Sequence, residues 1–175
     1  VLADKLGIDG DNIRYRYGDT DKVTTGIGTF NARCAVFAGS AVAIAADKVI
    51  DKGMRIAAHL LEAAEGDIEY GNGRFTVAGT DRSLELAEVA KTAFQKPKLP
   101  ADIEPGLYEH GEFGMGVGGA PTYPNGSHLA EVEIDADTGR VELVRYAAVD
   151  DAGNILNPML FDGQVHGGIV QGAGQ

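Results

Sequence analysis

The run Gly26-Ile27-Gly28-Thr29-Phe30-Asn31-Ala32-Arg33-Cys34 carries chemistry because a glycine-bearing loop turns there into the longest apolar helical pattern in the chain. Glycine admits backbone conformations closed to other residues, and Thr29 or Asn31 is suited to cap the helix that follows. The free N–H groups of a first helical turn, with about half a positive charge from the macrodipole, form a seat for an anion. Arg33 bears on that reading. A cation in the first turn opposes the dipole and is easiest to explain if something negative sits there. The plainer alternative is that Arg33 pairs with Asp19 or Asp21, or points to water.

A second stretch, from Gly163 to Gly174, reads Gly-Gln-Val-His-Gly-Gly-Ile-Val-Gln-Gly-Ala-Gly. Glycine inside a helix costs about 1 kcal/mol relative to alanine, so this density needs a compensating reason, such as close approach of another body. Gln164 and Gln171 are seven residues apart and share one helical face. Their amides suit a polar ligand; a tight helix–helix contact is the alternative. His166 sits among these glycines, as a ligand-facing residue or as an ordinary packing histidine.

Other matches fail on context. Gly114-Met115-Gly116-Val117-Gly118-Gly119 has the spelling of a dinucleotide loop, but Pro121 and Pro124 follow where a helix is required. Asp135, Asp137 and Gly139 echo a calcium loop, yet its twelfth position is Tyr146 instead of glutamate, and turn chemistry accounts for them. His59, His110, His128 and His166 lack metal-ligand spacing. There is no GxSxG nucleophile elbow. Asp150 and Asp151 point to opposite faces if they lie in a strand, and are expected to serve a turn.

The elements that must position these residues follow from periodicity. Val1 to Leu6 ends a helix with Gly7 as its stop, and Ile13, Tyr15 and Tyr17 alternate as in a strand. From about Arg33 to Ala64 the pattern is helical, with Val42, Ala45, Val49, Ile56 and Leu60 on one stripe. Its first half is rich in Ala and Gly, a thin surface near which another backbone can pack, and Gly53 is a candidate bend. Asp67 to Val77 is a hairpin turning at Asn72-Gly73, with Tyr70 facing Phe75 and Ile68 facing Val77. Ser83 to Phe94 is a helix capped by Ser83, followed by an extended link bearing Pro97, Pro100 and Pro105. Leu107 to Phe113 is a candidate strand, and 114–126 a long loop. Ala130, Val132 and Ile134 alternate in a strand whose partner returns from Val141 to Val149 after a turn at Asp137-Thr138-Gly139. Asn157-Pro158 starts a final helix.

The chain's 175 residues allow one compact domain or two small lobes. A net charge of −11 argues against nucleic acid or an anionic membrane as partner. Cys34 is the only cysteine, which excludes a disulfide framework or a cysteine-rich cluster. No stretch reaches membrane-spanning length or reads as a signal peptide, so cytoplasm is the default, with the periplasm open if an export signal lies outside the chain. The chain opens with an amphipathic run under way and stops inside a helical pattern, so it is expected to be a piece of a longer polypeptide.

Gly18-Asp19-Thr20-Asp21, Gly28 to Arg33, Asp150-Asp151-Ala152-Gly153-Asn154-Ile155-Leu156-Asn157-Pro158 and Gly163 to Gly172, in that order, resemble the molybdopterin-binding large subunit of molybdenum hydroxylases. That family includes xanthine dehydrogenase, aldehyde oxidoreductase and aerobic carbon monoxide dehydrogenase. The resemblance implies an α+β fold, with long helices packed on a mixed or antiparallel sheet and residues 1–175 forming one cofactor-binding domain. It implies that Thr29, Phe30, Asn31, Ala32, Arg33 and Cys34 contact the pterin and a dinucleotide phosphate, and that Gln171 hydrogen-bonds the cofactor near the metal.

The implied cofactor is molybdopterin in its cytosine dinucleotide form, its metal held by the dithiolene and not by protein side chains. Iron–sulfur and flavin (FAD) domains or subunits are the implied partners. The implied reaction is oxidation of a small aldehyde, N-heterocycle or similar substrate with water as oxygen source. The family's catalytic glutamate falls after the Gln171 segment in a Gly-Val-Gly-Glu stretch. Gly116-Val117-Gly118-Gly119 lacks that glutamate and comes too early, so no catalytic residue is expected in this chain and no turnover by it alone. The alternative from another class is a non-catalytic assembly module that docks a partner through the glycine-rich helix.

Overall fold

The computed structural model describes residues 1–23, 28–29, 33–115, 118–119 and 123–175. The fold is α+β, as expected, and divides into two compact units, Val1–Ala120 and Pro121–Gln175.

The first unit is built on a long helix against a small antiparallel sheet. Helix α1 (Leu2–Leu6) ends at Gly7, whose φ of 58° is the left-handed conformation glycine tolerates. A Cβ there would also lie 2.5 Å from Asn72 Cα, so the end of α1 rests on a hairpin turn. That hairpin joins β1 (Ile68–Gly71) to β2 (Arg74–Val77), with Tyr70 opposite Phe75 and Ile68 opposite Val77 as the alternation predicts. Asn72 and Gly73 both have positive φ, 50° and 75°, the requirement of a tight hairpin turn with the right twist. The Tyr70 hydroxyl donates to Leu6 O at 2.7 Å, tying α1 to the sheet, and burial pushes its pKa up.

Ser83 does not cap a helix. Ser83–Glu85 instead forms β3 on the free edge of β2, with Phe75 opposite Leu84 and Arg74 opposite and ion-paired with Glu85. Helix α3 (Leu86–Ala93) starts two residues later than a Ser83 cap would put it, through a capping box of Glu85 and Glu88. The prolines after it lie, as expected, in an irregular link, apart from one short turn at Lys96–Lys98, and Leu99 and Ile103 plug into the core.

The long apolar helix is α2 (Gly39–Leu60), entered through a π-helical turn, Cys34–Ala38. Ile56, Ala57 and Ala58 pack against Ile68, Phe75 and Val89. Gly53 does not interrupt the helix. It is buried, and a Cβ there would lie 2.4 Å from Phe75 Cζ, so its bare backbone makes room for the ring. Leu107–Phe113 is not a strand and has no ladder partner among the described residues. It crosses the thin Ala-rich half of α2, where a Cβ on Gly111 would lie 1.9 Å from Ala41 O, and Lys48 Nζ donates to His110 O at 2.7 Å. Ile13–Tyr17 is likewise outside any ladder among the described residues. Tyr15 and Tyr17 do share a side, with rings stacked 5.0 Å apart, but both are exposed. Alternation gave the direction of the side chains without supplying a partner strand.

The second unit is a long hairpin and a helix. Strands β6 (Asn125–Ile134) and β7 (Val141–Asp151) pair antiparallel, with an irregularity between Glu131 and Val132, and run further than the predicted pair at their open end. Two-residue strands β4 (Gly114–Met115) and β5 (Gly118–Gly119) precede them in chain order. Helix α4 (Pro158–Ala173) starts where Asn157 Oδ1 accepts from Leu160 N at 3.1 Å. Tyr146, Ala148 and Asp150 are the half-covered residues of β7, and Phe161, Val165 and Ile169 those of α4. Among the described residues no helix is long and apolar enough to cross a membrane.

Candidate functional site

The loop before α2 is described in part. Phe30, Asn31 and Ala32 lie outside the described residues. Gly28 has φ 81°, and the Cys34 thiol, exposed, lies 3.3 Å from the Thr29 hydroxyl as its donor. Arg33 begins the first turn and holds its guanidinium 5.2 Å from the centre of the Phe37 ring, which meets Phe113 edge-on at 6.0 Å. The turn is wider than an α-helical one: Gly39 N bonds back to Cys34 O, and no described side chain caps it. π-Helical turns are rare and concentrate at functional sites. Backbone N–H groups at such an entry, the Thr29 hydroxyl and the Arg33 cation make a donor-rich set for an anion.

Helix α4 presents a different surface. At about 100° per residue, Gln164 and Gln171 fall within about 20° of each other, and the Phe161, Val165, Ile169 stripe is centred about 110° away. Gly167 and Gly168 flank the glutamines, and among the described residues nothing lies within 4 Å of where their Cβ atoms would be. Packing inside this unit therefore does not explain those glycines. His166 turns away from the glutamines, about 150° round the helix, and lines a groove instead.

That groove, of about 430 Å³, lies between β7 and α4 and is walled by Tyr146, Ala148 and Asp150 on one side and Phe161, Val165 and His166 on the other. Two residues of that wall belong to a side-chain network with no local mark in the sequence. His128 Nε2 is 3.0 Å from Asp150 Oδ1 and its Nδ1 is 2.9 Å from the Tyr146 hydroxyl. Asp150 is thus a partner of His128 and not a turn residue, while Asp151 does serve the turn, its carboxylate accepting from Gly153 N at 2.9 Å. The signal was the shared parity of 126, 128 and 130 with 146, 148 and 150, legible once the strand register is known.

The calcium-like spelling is a turn: Asp135 Oδ1 accepts from Asp137 N at 2.8 Å and Thr138 N at 2.9 Å. The bonds from Thr138 and then Asp137 hold its carboxyl below the usual carboxylate range. Among the described residues no three His, Cys, Asp or Glu side chains are grouped to hold a metal ion.

The loop-to-helix entry of the first unit, rich in N–H donors and carrying a cation, suits an anion, and the glycine-flanked pair of primary amides on α4 of the second suits a hydrogen-bonding group. The chain belongs to the molybdopterin cofactor-binding domain family, whose model matches residues 1–175. This bears out the resemblance to molybdenum hydroxylase large subunits.

The chain is 39% identical over 178 residues to the carbon monoxide dehydrogenase large chain of Hydrogenophaga pseudoflava, covering 98% of this chain and 21% of that one. It is 38% identical over 177 residues to the nicotine 6-hydroxylase large subunit of Paenarthrobacter nicotinovorans, covering 99% of this chain and 21% of that one. It superposes with a TM-score of 0.83 on reconstituted CO dehydrogenase from Oligotropha carboxidovorans, at 39% identity, covering 97% of this chain and 20% of that one. The chain spans about a fifth of the length of the curated relatives it matches.

Proposed function

We propose that residues 1–175 act as one cofactor-binding domain within the large subunit of a molybdenum hydroxylase-type oxidoreductase. The observation that carries this is the family match along the whole chain, 1–175. Thr29 to Cys34 bind the phosphate and pterin of the cofactor, in its cytosine dinucleotide form, through backbone N–H groups, with Arg33 adding charge. Gln171 offers its amide to the same group, with Gly167 and Gly168 leaving the helix surface open beside it. When bound, the cofactor supplies a two-electron redox centre. This chain's own residues hold and orient it and contribute no catalytic residue, so the chain does not turn over substrate by itself.

The substrate is a small aldehyde, N-heterocycle or similar molecule, a class supported by a relative named for hydroxylation of nicotine. Iron–sulfur and flavin domains or subunits take the electrons. Relatives named as a large chain and a large subunit support such a division of labour.

In the complete complex, Arg33→Ala and Gln171→Ala are each expected to lower molybdenum and pterin content several-fold, since a hydrogen bond contributes about 0.5–1.5 kcal/mol and one to a charged group more. Unchanged metal content and activity in both variants removes the assignment.

A second reading is favoured by the same uncovered glycines and by exposed Met159, Leu160 and Val170 on α4: a non-catalytic module that docks a partner through that helix. Stoichiometric molybdenum in the full-length protein supports the first reading, and its consistent absence the second.

A further inference from the structure

We propose that His128, Tyr146 and Asp150 work as one positioning unit that holds the β7 wall facing α4, and so sets the direction in which α4 presents its glutamines. The last clause rests on the functional reading above; the first does not.

The geometry is specific. His128 is bonded at both ring nitrogens, to Asp150 at 3.0 Å and to the Tyr146 hydroxyl at 2.9 Å, with the Tyr146 ring edge-on at 5.7 Å. An ionised carboxylate only accepts, which assigns the Nε2 proton to the Asp150 bond. In the neutral ring Nδ1 then accepts from Tyr146. In the protonated ring Nδ1 donates to the Tyr146 oxygen, and the bond to the Asp150 carboxylate, charge-assisted already, becomes an ion pair. Both bonds therefore survive either charge state of His128.

The three residues come from strands paired in fixed register, Gly126 opposite Asp150, His128 opposite Ala148 and Ala130 opposite Tyr146, so all three project from one face. Gly126 belongs to the device. A Cβ there would lie 2.2 Å from Asp150 Oδ1, the very atom His128 binds. Tyr146 and Asp150 also wall the groove opposite Phe161 and Val165 of α4. No residue described in 123–175 is fully buried, so this hairpin end has little apolar burial to fix it. A two-bond bridge across the strands takes on that role.

The test is backbone hydrogen exchange in the full-length protein, read over 146–157 and 158–173, with the 68–77 hairpin as internal control. His128→Ala and Gly126→Ala are expected to raise exchange over 146–157 roughly tenfold, a smaller rise following over 158–173, with the control unchanged. His128→Gln is expected to restore protection, because its amide offers both an N–H donor and an oxygen acceptor at similar reach. Tyr146→Phe, which keeps the ring and loses one bond, falls between. Unchanged exchange in His128→Ala, or His128→Gln as exposed as His128→Ala, overturns the proposal.

Where the protein holds molybdenum, His128→Ala should also lower its content and His128→Gln recover it. An unchanged content there overturns the link to the glutamines. A parent protein without molybdenum defeats the functional reading alone, and the exchange comparison still decides the positioning unit.

Discussion

Asp135 shows how a residue's environment converts a motif spelling into plain structure. Its carboxylate accepts from Thr138 N and Asp137 N, and Gly139 N bonds back to Asp135 O at 2.8 Å, closing the β6–β7 turn. Because these donors favour the charged form, its folded pKa lies below the unfolded value of about 4. A depressed carboxylate contributes stability that is present above the unfolded pKa and lost as pH falls through the folded one. Thermal midpoints measured from pH 5 down to pH 2 are expected to fall through that acid window, and Asp135→Ala to flatten this part of the profile. An identical acid profile in the variant discards the explanation. Arg33 illustrates the opposite case: its type and place were legible, and its stacking on Phe37 was not, because side-chain direction depends on the π-helical turn that brings the ring beneath it.

Among the elements, α2 and the first hairpin form the strongest junction. Phe75 is wholly buried and its ring tip occupies the space a Gly53 side chain would need. Gly53→Ala gains helix propensity of up to about 1 kcal/mol but overpacks a ring with no room to retreat, at a cost of about 1–3 kcal/mol. A net loss of stability is expected, seen as a lower denaturation midpoint, with Phe75→Leu in the same background recovering part of it. A Gly53→Ala protein more stable than its parent refutes this account.

Hairpin register was readable from Asn72-Gly73 and the alternating residues around it, since turn chemistry and period-two burial both act locally. The role of Ser83 was not. Its choice between capping a helix and extending a sheet was settled by the free edge of β2, a contact remote from its own neighbours.

At the scale of the whole molecule, the residues proposed to contact the cofactor, near 33 and near 171, fall in each of the two compact units. Anything that binds only the native state stabilises what it touches. Removing the cofactor from the complete protein is therefore expected to raise hydrogen exchange over both 33–40 and 164–173. A segment that does not respond loses its proposed place among the cofactor contacts.

The sequence by itself determined the helix ends at Gly7 and Asn157, the Ile68–Val77 hairpin and the β6–β7 pairing, because caps, turns and periodicity are set by neighbours a few residues apart. Its ordered motifs also determined the family. Tertiary structure alone decided the rest: why Gly53 and Gly111 are glycine, why Leu107–Phe113 crosses a helix instead of joining a sheet, and that His128, Tyr146 and Asp150 meet. Those facts depend on which surfaces come within a few ångströms after folding, and residues 22 positions apart carry no local mark of a shared hydrogen bond.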